Sequence, residues 1–204
     1  MLINLRNALM AGKRLPYDAE VEYIRGTRTQ YINTGIYQNP NTEYKVTVMP
    51  EASTNLTVGN FNGGGAYGFR LSFHAGGVFQ DWYSSRISIS AQSFNQIYTA
   101  TVKRGSLRVQ GPSIDQTATG TQSESTSSAP IYLLSAPNPP GAIGAAKLYS
   151  FQVWQNGELV FDCIPVRKGT VGYLYDRVSG KLFGNAGTGA FTYGNDLKYP
   201  IPAE

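Results

Sequence analysis

The sequence predicts an all-β, antiparallel sandwich. Three features predict it: short alternations of apolar and polar residues along most of the chain, turn signals between them at close spacing, and a composition led by Gly, Ser, Thr and 14 tyrosines. At 204 residues the chain suits one domain whose single core can stand without staples.

The start differs from the rest. Leu2, Leu5 and Leu9 stand at i, i+3 and i+7 with Ile3 and Met10 beside them, which marks one apolar helix face that Leu15-Pro16 ends. A free helix this short is marginal in water, so its stripe is covered either by the chain's own sandwich or by another protein chain. We read residues 1–19 as an attachment segment, residues 20–196 as the sandwich and 197–204 as a tail. No internal repeat or second domain is visible.

From Val21 onward the pattern is β. Tyr44, Val46 and Val48 fall on one face of a strand and Lys45 and Thr47 on the other. Leu56–Val58 follows, and Gly63–Gly65 turns into Phe69–His74, whose inward set is Phe69, Leu71 and Phe73. Ala75-Gly76-Gly77 turns into Val78–Tyr83. Later, Ile97–Val102 and Leu107–Val109 flank a Lys103–Ser106 turn. Gly111–Pro130 is rich in Ser and Thr and reads equally as a mobile loop or a Thr-rich edge strand. Pro137, Pro139 and Pro140 with Gly141 and Gly144 make a loop.

Beyond it, Leu148, Phe151, Val153 and Trp154 form an apolar run that places Trp154 in the core. Asn156-Gly157 follows, the strongest short hairpin signal because a type I′ turn needs positive φ at both central residues. Leu159, Phe161 and Cys163 then alternate with Val160, Asp162 and Ile164. A second turn, Asp176–Lys181, joins Gly172–Tyr175 to Leu182-Phe183.

Several function classes fail for want of residues. Acid/base cleavage of a sugar needs two carboxylates flanking one bond, and no Glu-x-Asp-x-x-Glu run or close variant is present. His74 is the one histidine and has no nucleophile motif near it; Cys163 is the one cysteine, set among apolar neighbours, and reads as an inert core thiol. One of each makes no zinc site, so no metal and no cofactor are expected. Gly184–Gly189 lacks the Lys-Ser/Thr of a phosphate loop and reads as a glycine-rich turn.

The net charge of +4 comes from 17 basic and 13 acidic residues scattered from Arg6 to Lys198, with no stripe to track phosphates, which argues against nucleic acid. No apolar stretch approaches the ~20 residues of a membrane helix. The first dozen residues make a poor signal peptide, broken by Arg6 and Asn7. Taken as written, the protein would be made in the cytoplasm without Sec export.

What remains is a binding surface. If Phe69, Leu71 and Phe73 face inward, Arg70, Ser72 and His74 face out, and Gln80 and Trp82 share a face of the next strand. Sugar recognition stacks an aromatic ring on a pyranose while polar groups hold its hydroxyls. Arg70, His74, Gln80, Trp82 and Tyr83 have that make-up. The competing reading puts Trp82 in the core, since a one-residue slip flips every side chain.

The order of EYIRGTRTQYINTG (22–35), LYSFQVWQNGELVFDCIPVRK (148–168) and VGYLYDRVSGKLFGNAGTGAF (171–191) resembles the LamG-like, concanavalin A-like jelly rolls of bacteriophage and gut-bacterial surface proteins. The resemblance spans roughly residues 20–194 and implies a jelly roll that binds or builds rather than catalyses. Domains of that family often hold a rim calcium ion, although this sequence has no Asp-rich loop to indicate one. It implies a non-enzymatic virion protein: a capsid decoration, head-fibre or tail-fibre subunit docked to other virion proteins through Leu2, Leu5 and Leu9. Such a subunit would display a lectin-like jelly roll to host or mucosal glycans, as a monomer or homo-oligomer. The alternative is a free-standing carbohydrate-binding or adhesion module of a gut bacterium.

Overall fold

The computed structural model describes residues 15–52, 54–61, 68–90, 93–134 and 145–197, with backbone only for 54–57. Leu2, Leu5 and Leu9 lie outside the described residues. Within them the chain is all β and holds no helix. In chain order the strands are β1 (Ala19–Glu20), β2 (Ile24–Gly26), β3 (Ile32–Tyr37), β4 (Thr42–Pro50), β5 (Thr54–Asn60), β6 (Gly68–His74), β7 (Gly77–Tyr83), β8 (Ser85–Ser90) and β9 (Tyr98–Lys103). They continue as β10 (Ser106–Gly111), β11 (Ile114–Thr119), β12 (Pro130–Leu133), β13 (Ala146–Gln155), β14 (Glu158–Lys168), β15 (Val171–Asp176), β16 (Leu182–Phe183) and β17 (Thr192–Tyr193).

Two antiparallel sheets result. The larger runs β11-β10-β9-β4-β13-β14-β15-β16, with β1 on β14 and β2 joining β13 to β17; the smaller runs β3-β12-β5-β6-β7-β8. Their inner faces meet in one core. Val46, Val48, Phe151, Val153, Phe161 and Cys163 line it from the large sheet, and Val58, Leu71, Phe73, Val78, Ile87 and Ile131 from the small one. Each set follows the period-2 alternation of its strand, which is why both sheets present a dry inner face and a polar outer one.

The local turn chemistry behaves as its residues dictate. Asn156 and Gly157 have φ of 53° and 81°, the two positive values of a type I′ turn, and Gln155 pairs with Glu158 across it. Asp176 is buried and organises its own turn, its carboxylate accepting from the amides of Asp162, Val178 and Ser179 and from the Ser179 hydroxyl. The Ser/Thr-rich stretch divides in two: β11 is an edge strand paired with β10, and 120–129 runs on without strand pairing.

The sandwich begins before residue 20. Asp18 N–H donates to the Arg167 carbonyl at 2.9 Å, Ala19 pairs with Arg167, and the Tyr17 ring lies 5.0 Å from that of Tyr175. Tyr17, Asp18 and Ala19 thus lie against β14 and β15. At the other end Asp196 bridges to Val21, and Leu197 N–H reaches the Glu20 carbonyl.

Candidate functional site

The pairing of the small sheet places one residue from each strand in a single row: Asn33, Tyr132, Gly59, Arg70, Asp81 and Arg86. Their flanking residues Ile32, Leu133, Val58, Leu71, Gln80 and Ile87 are buried on the inner face, so the row lies on the outer one. Gly59 is where the sheet needs glycine, because at φ of 118° an added Cβ would overlap the Phe69 carbonyl oxygen. Ser72, Phe79 and Ser88 make the next row, with His74 beside them on β6.

Asp81 is the hub of this face. Its carboxylate is 0% exposed and accepts from Arg70 Nε at 2.6 Å, Arg86 Nε at 2.6 Å and Arg86 Nη2 at 3.0 Å. A buried carboxylate is tolerated only when such donors surround it. Each guanidinium in turn lies over an aromatic ring: Arg70 stands 4.7 Å from the Phe61 centroid and Arg86 4.8 Å from that of Phe79. The His74 ring meets Phe79 edge-on at 5.2 Å. On the β12 side, Tyr132 packs edge-on against Tyr31 at 5.6 Å, and Tyr37 is 50% exposed. Burial first, then the charges of Tyr31 and Tyr37, raises the Tyr132 hydroxyl above its ordinary value.

His74 reports on the cluster. Burial lowers its pKa first, and the charges of Arg70 and Arg86 lower it further against the opposing pull of Asp81. The folded protein therefore binds this proton less readily than the unfolded chain. The contribution to stability is full above about pH 6.5 and is lost as pH falls from there through the lower folded value. As the one histidine, His74 gives a single imidazole signal. Its NMR titration should lie below the ordinary value and move up in Arg86→Gln; an unchanged midpoint in that variant would separate His74 from the cluster.

No family model matches the chain, and no curated protein matches it. Nineteen solved chains match in fold. One is a candidate carbohydrate-binding protein of Bacteroides ovatus ATCC 8483, superposing with a TM-score of 0.58 over 89% of this chain and 62% of that one, at 13% identity. The two share a fold. The described part of this chain is an all-β sandwich of that shape, and it spans less than two thirds of its neighbour's length.

Of the residues singled out in the sequence, Arg70 and His74 stand on the outer face as expected, and Tyr83 is exposed at the β7–β8 turn with φ of 60°. Gln80 and Trp82 do not join them. Both are 0% exposed on the inner face: the Trp82 ring sits 5.5 Å edge-on to Phe69, and Gln80 Nε2 donates to the Lys103 carbonyl at 2.8 Å and to Gln122 Oε1 at 3.0 Å. The reason is one residue of turn length. A three-residue turn at 75–77 would set Trp82 opposite Arg70. The observed turn is Ala75-Gly76, Gly77 already pairs with His74, and Trp82 falls opposite Phe69.

Trp154 is corrected in the opposite sense. Val153 is buried, so the residue after it points away from the core; Trp154 is half-buried beside Glu43 and Leu159 on the large sheet's outer face, next to a bulge between Val153 and Trp154. Cys163 lies in the core, and burial raises its thiol well above the ordinary range, as an inert thiol requires. Phe61, Phe79, Asp81, Arg86 and Tyr132 were missed. Arg86 belongs to β8, which follows Tyr83-Ser84, a turn with no Gly, Asn or Pro to announce it. Among the described residues no three potential metal ligands converge.

Proposed function

We propose that the chain is a non-catalytic carbohydrate-binding module that holds glycans on the outer face of its six-stranded sheet. The observation that carries this reading is the row running from Tyr132 through Arg70 and Asp81 to Arg86, with Phe79 beside it. It joins aromatic surface to fixed polar groups on a rigid sheet, the combination that sugar recognition uses. The fold neighbour named for carbohydrate binding supports it. The absence of a second carboxylate beside Asp81 among the described residues of this face supports binding over hydrolysis, which needs a pair.

Of the two settings the sequence suggested, the free-standing carbohydrate-binding or adhesion module is the one this neighbour favours. The virion setting rests on the family resemblance and on Leu2, Leu5 and Leu9, and it enters here only as a second proposal for where such a module would be carried.

A glycan array probed with the purified chain tests the proposal. Binding to a defined subset is expected, and Phe79→Ala and Tyr132→Ala should each weaken it about tenfold, the equivalent of ~1.4 kcal/mol of lost ring contact. Failure to bind any glycan would overturn the function. Loss of binding in Trp154→Ala, with Phe79→Ala and Tyr132→Ala unaffected, would move the site to the other sheet.

A further inference from the structure

We infer that the glycans this face takes are acidic, their carboxylate or sulfate group gripped by Arg70 and Arg86; the inference rests on the carbohydrate-binding reading above. Charge is the first ground. Among the described residues two guanidiniums share one carboxylate, so the cluster of Arg70, Asp81 and Arg86 sums to a net positive charge. The other outward positions of β6, β7 and β8 are Ser72, His74, Phe79, Tyr83, Ser88 and Ser90, and none carries a negative charge. The neighbouring strands add Tyr132 and Asn33, again without a carboxylate. The outer face of the large sheet is different, since there Asp115 pairs with Arg108 and Asp162 with Arg177.

Geometry is the second ground. Arg70 engages Asp81 through Nε, and its two terminal nitrogens have no acceptor among the described residues, which leaves one edge of its planar fork for another oxyanion. The Phe61 and Phe79 rings beneath the two guanidiniums fix their planes, so an incoming anion meets donors already oriented. The Arg70 side chain is 16% exposed and that of Arg86 38%, so both reach the surface of a partly desolvated cluster. Charge there is screened less than on an open surface. A neutral sugar would use the aromatic surface but leave this excess charge unanswered.

The test uses labelled oligogalacturonate, its methyl ester, which differs only in lacking the charge, and a sulfated oligosaccharide. At least one of the two acidic probes should bind tenfold or more tighter than the methyl ester, and comparison of the two tells uronate from sulfate. Its affinity should fall several-fold between about 0.05 and 0.5 M salt. Ser88→Glu adds a carboxylate at an exposed position on the same face of β8 as Arg86 and replaces no member of the Asp81 cluster; its urea midpoint checks that the sheet is intact. It should weaken the acidic probe about tenfold and leave the methyl ester unchanged. Arg70→Lys, which keeps the charge but loses the fork, should weaken it as well. Equal binding of acid and ester, or indifference to Ser88→Glu, would overturn the inference. Binding of neutral glycans alone would do so while leaving the carbohydrate-binding function standing; binding of no glycan would remove both.

Discussion

Trp82→Ala should destabilise the sandwich by about 3–5 kcal/mol, the cost of truncating a fully buried aromatic that its surroundings cannot close over. Trp82 is the largest fully buried side chain, its ring set against Phe69 on the inner face, and both strands flanking β7 hold it in place through continuous pairing. A domain of ordinary stability, about 5–15 kcal/mol, would lose a large share of that margin. The midpoint of thermal unfolding should drop by roughly 2–4 °C for each kcal/mol lost. Urea titration measures the loss directly, and glycan binding per folded molecule should be unchanged. A variant of near-normal stability that no longer binds glycans would place Trp82 at the surface, contrary to the fold.

The contrast between Trp82 and Trp154 shows which information was local. The Asn156-Gly157 hairpin, the Tyr44/Val46/Val48 face of β4 and the Phe69/Leu71/Phe73 face of β6 follow from residues adjacent in sequence, and all three stand in the structure. In β7, by contrast, Val78, Gln80 and Trp82 alternate with Phe79, Asp81 and Tyr83, and each set holds aromatic and polar members. Its pattern cannot say which set faces inward. The decision rests on whether Gly77 is turn or strand, and it is strand, with a φ of 143° and a backbone packed so closely to Ile89 that a Cβ would overlap the Ile89 carbonyl oxygen.

A bulge hid Trp154 in the same way: Tyr149 is an extra residue in β13, which puts Leu148 and Phe151 on one face despite their mixed parity, while Trp154 follows Val153 in regular register with β4 and so takes the other face. Of the site residues, Asp81 and Arg86 come from one hairpin whose turn carries no clear signal, and Tyr132 joins them only through long-range pairing. Asp81 and Arg86 face each other across β7 and β8, and Tyr132 arrives from beyond the Ser/Thr-rich stretch. No spacing in the sequence announces that row.

Asp81→Asn separates two ways in which the cluster could act. The substitution keeps the shape of the side chain but removes its charge and turns one acceptor into a donor, so the Arg70 and Arg86 guanidiniums would face an amide that can satisfy only part of what the carboxylate did. Removing one partner of a buried ion pair costs about 3–5 kcal/mol, and the lower end applies here because Arg86 reaches water. Binding of the acidic probe carries the more telling sign. The variant face gains one positive charge, so attraction by charge alone would tighten binding. Orientation argues the other way, since Asp81 is what aligns the two forks over Phe61 and Phe79, and we expect affinity to fall about tenfold. A tighter complex would show that the arginines act as loose charges, and a stability change below ~0.5 kcal/mol would show that they do not depend on Asp81 at all.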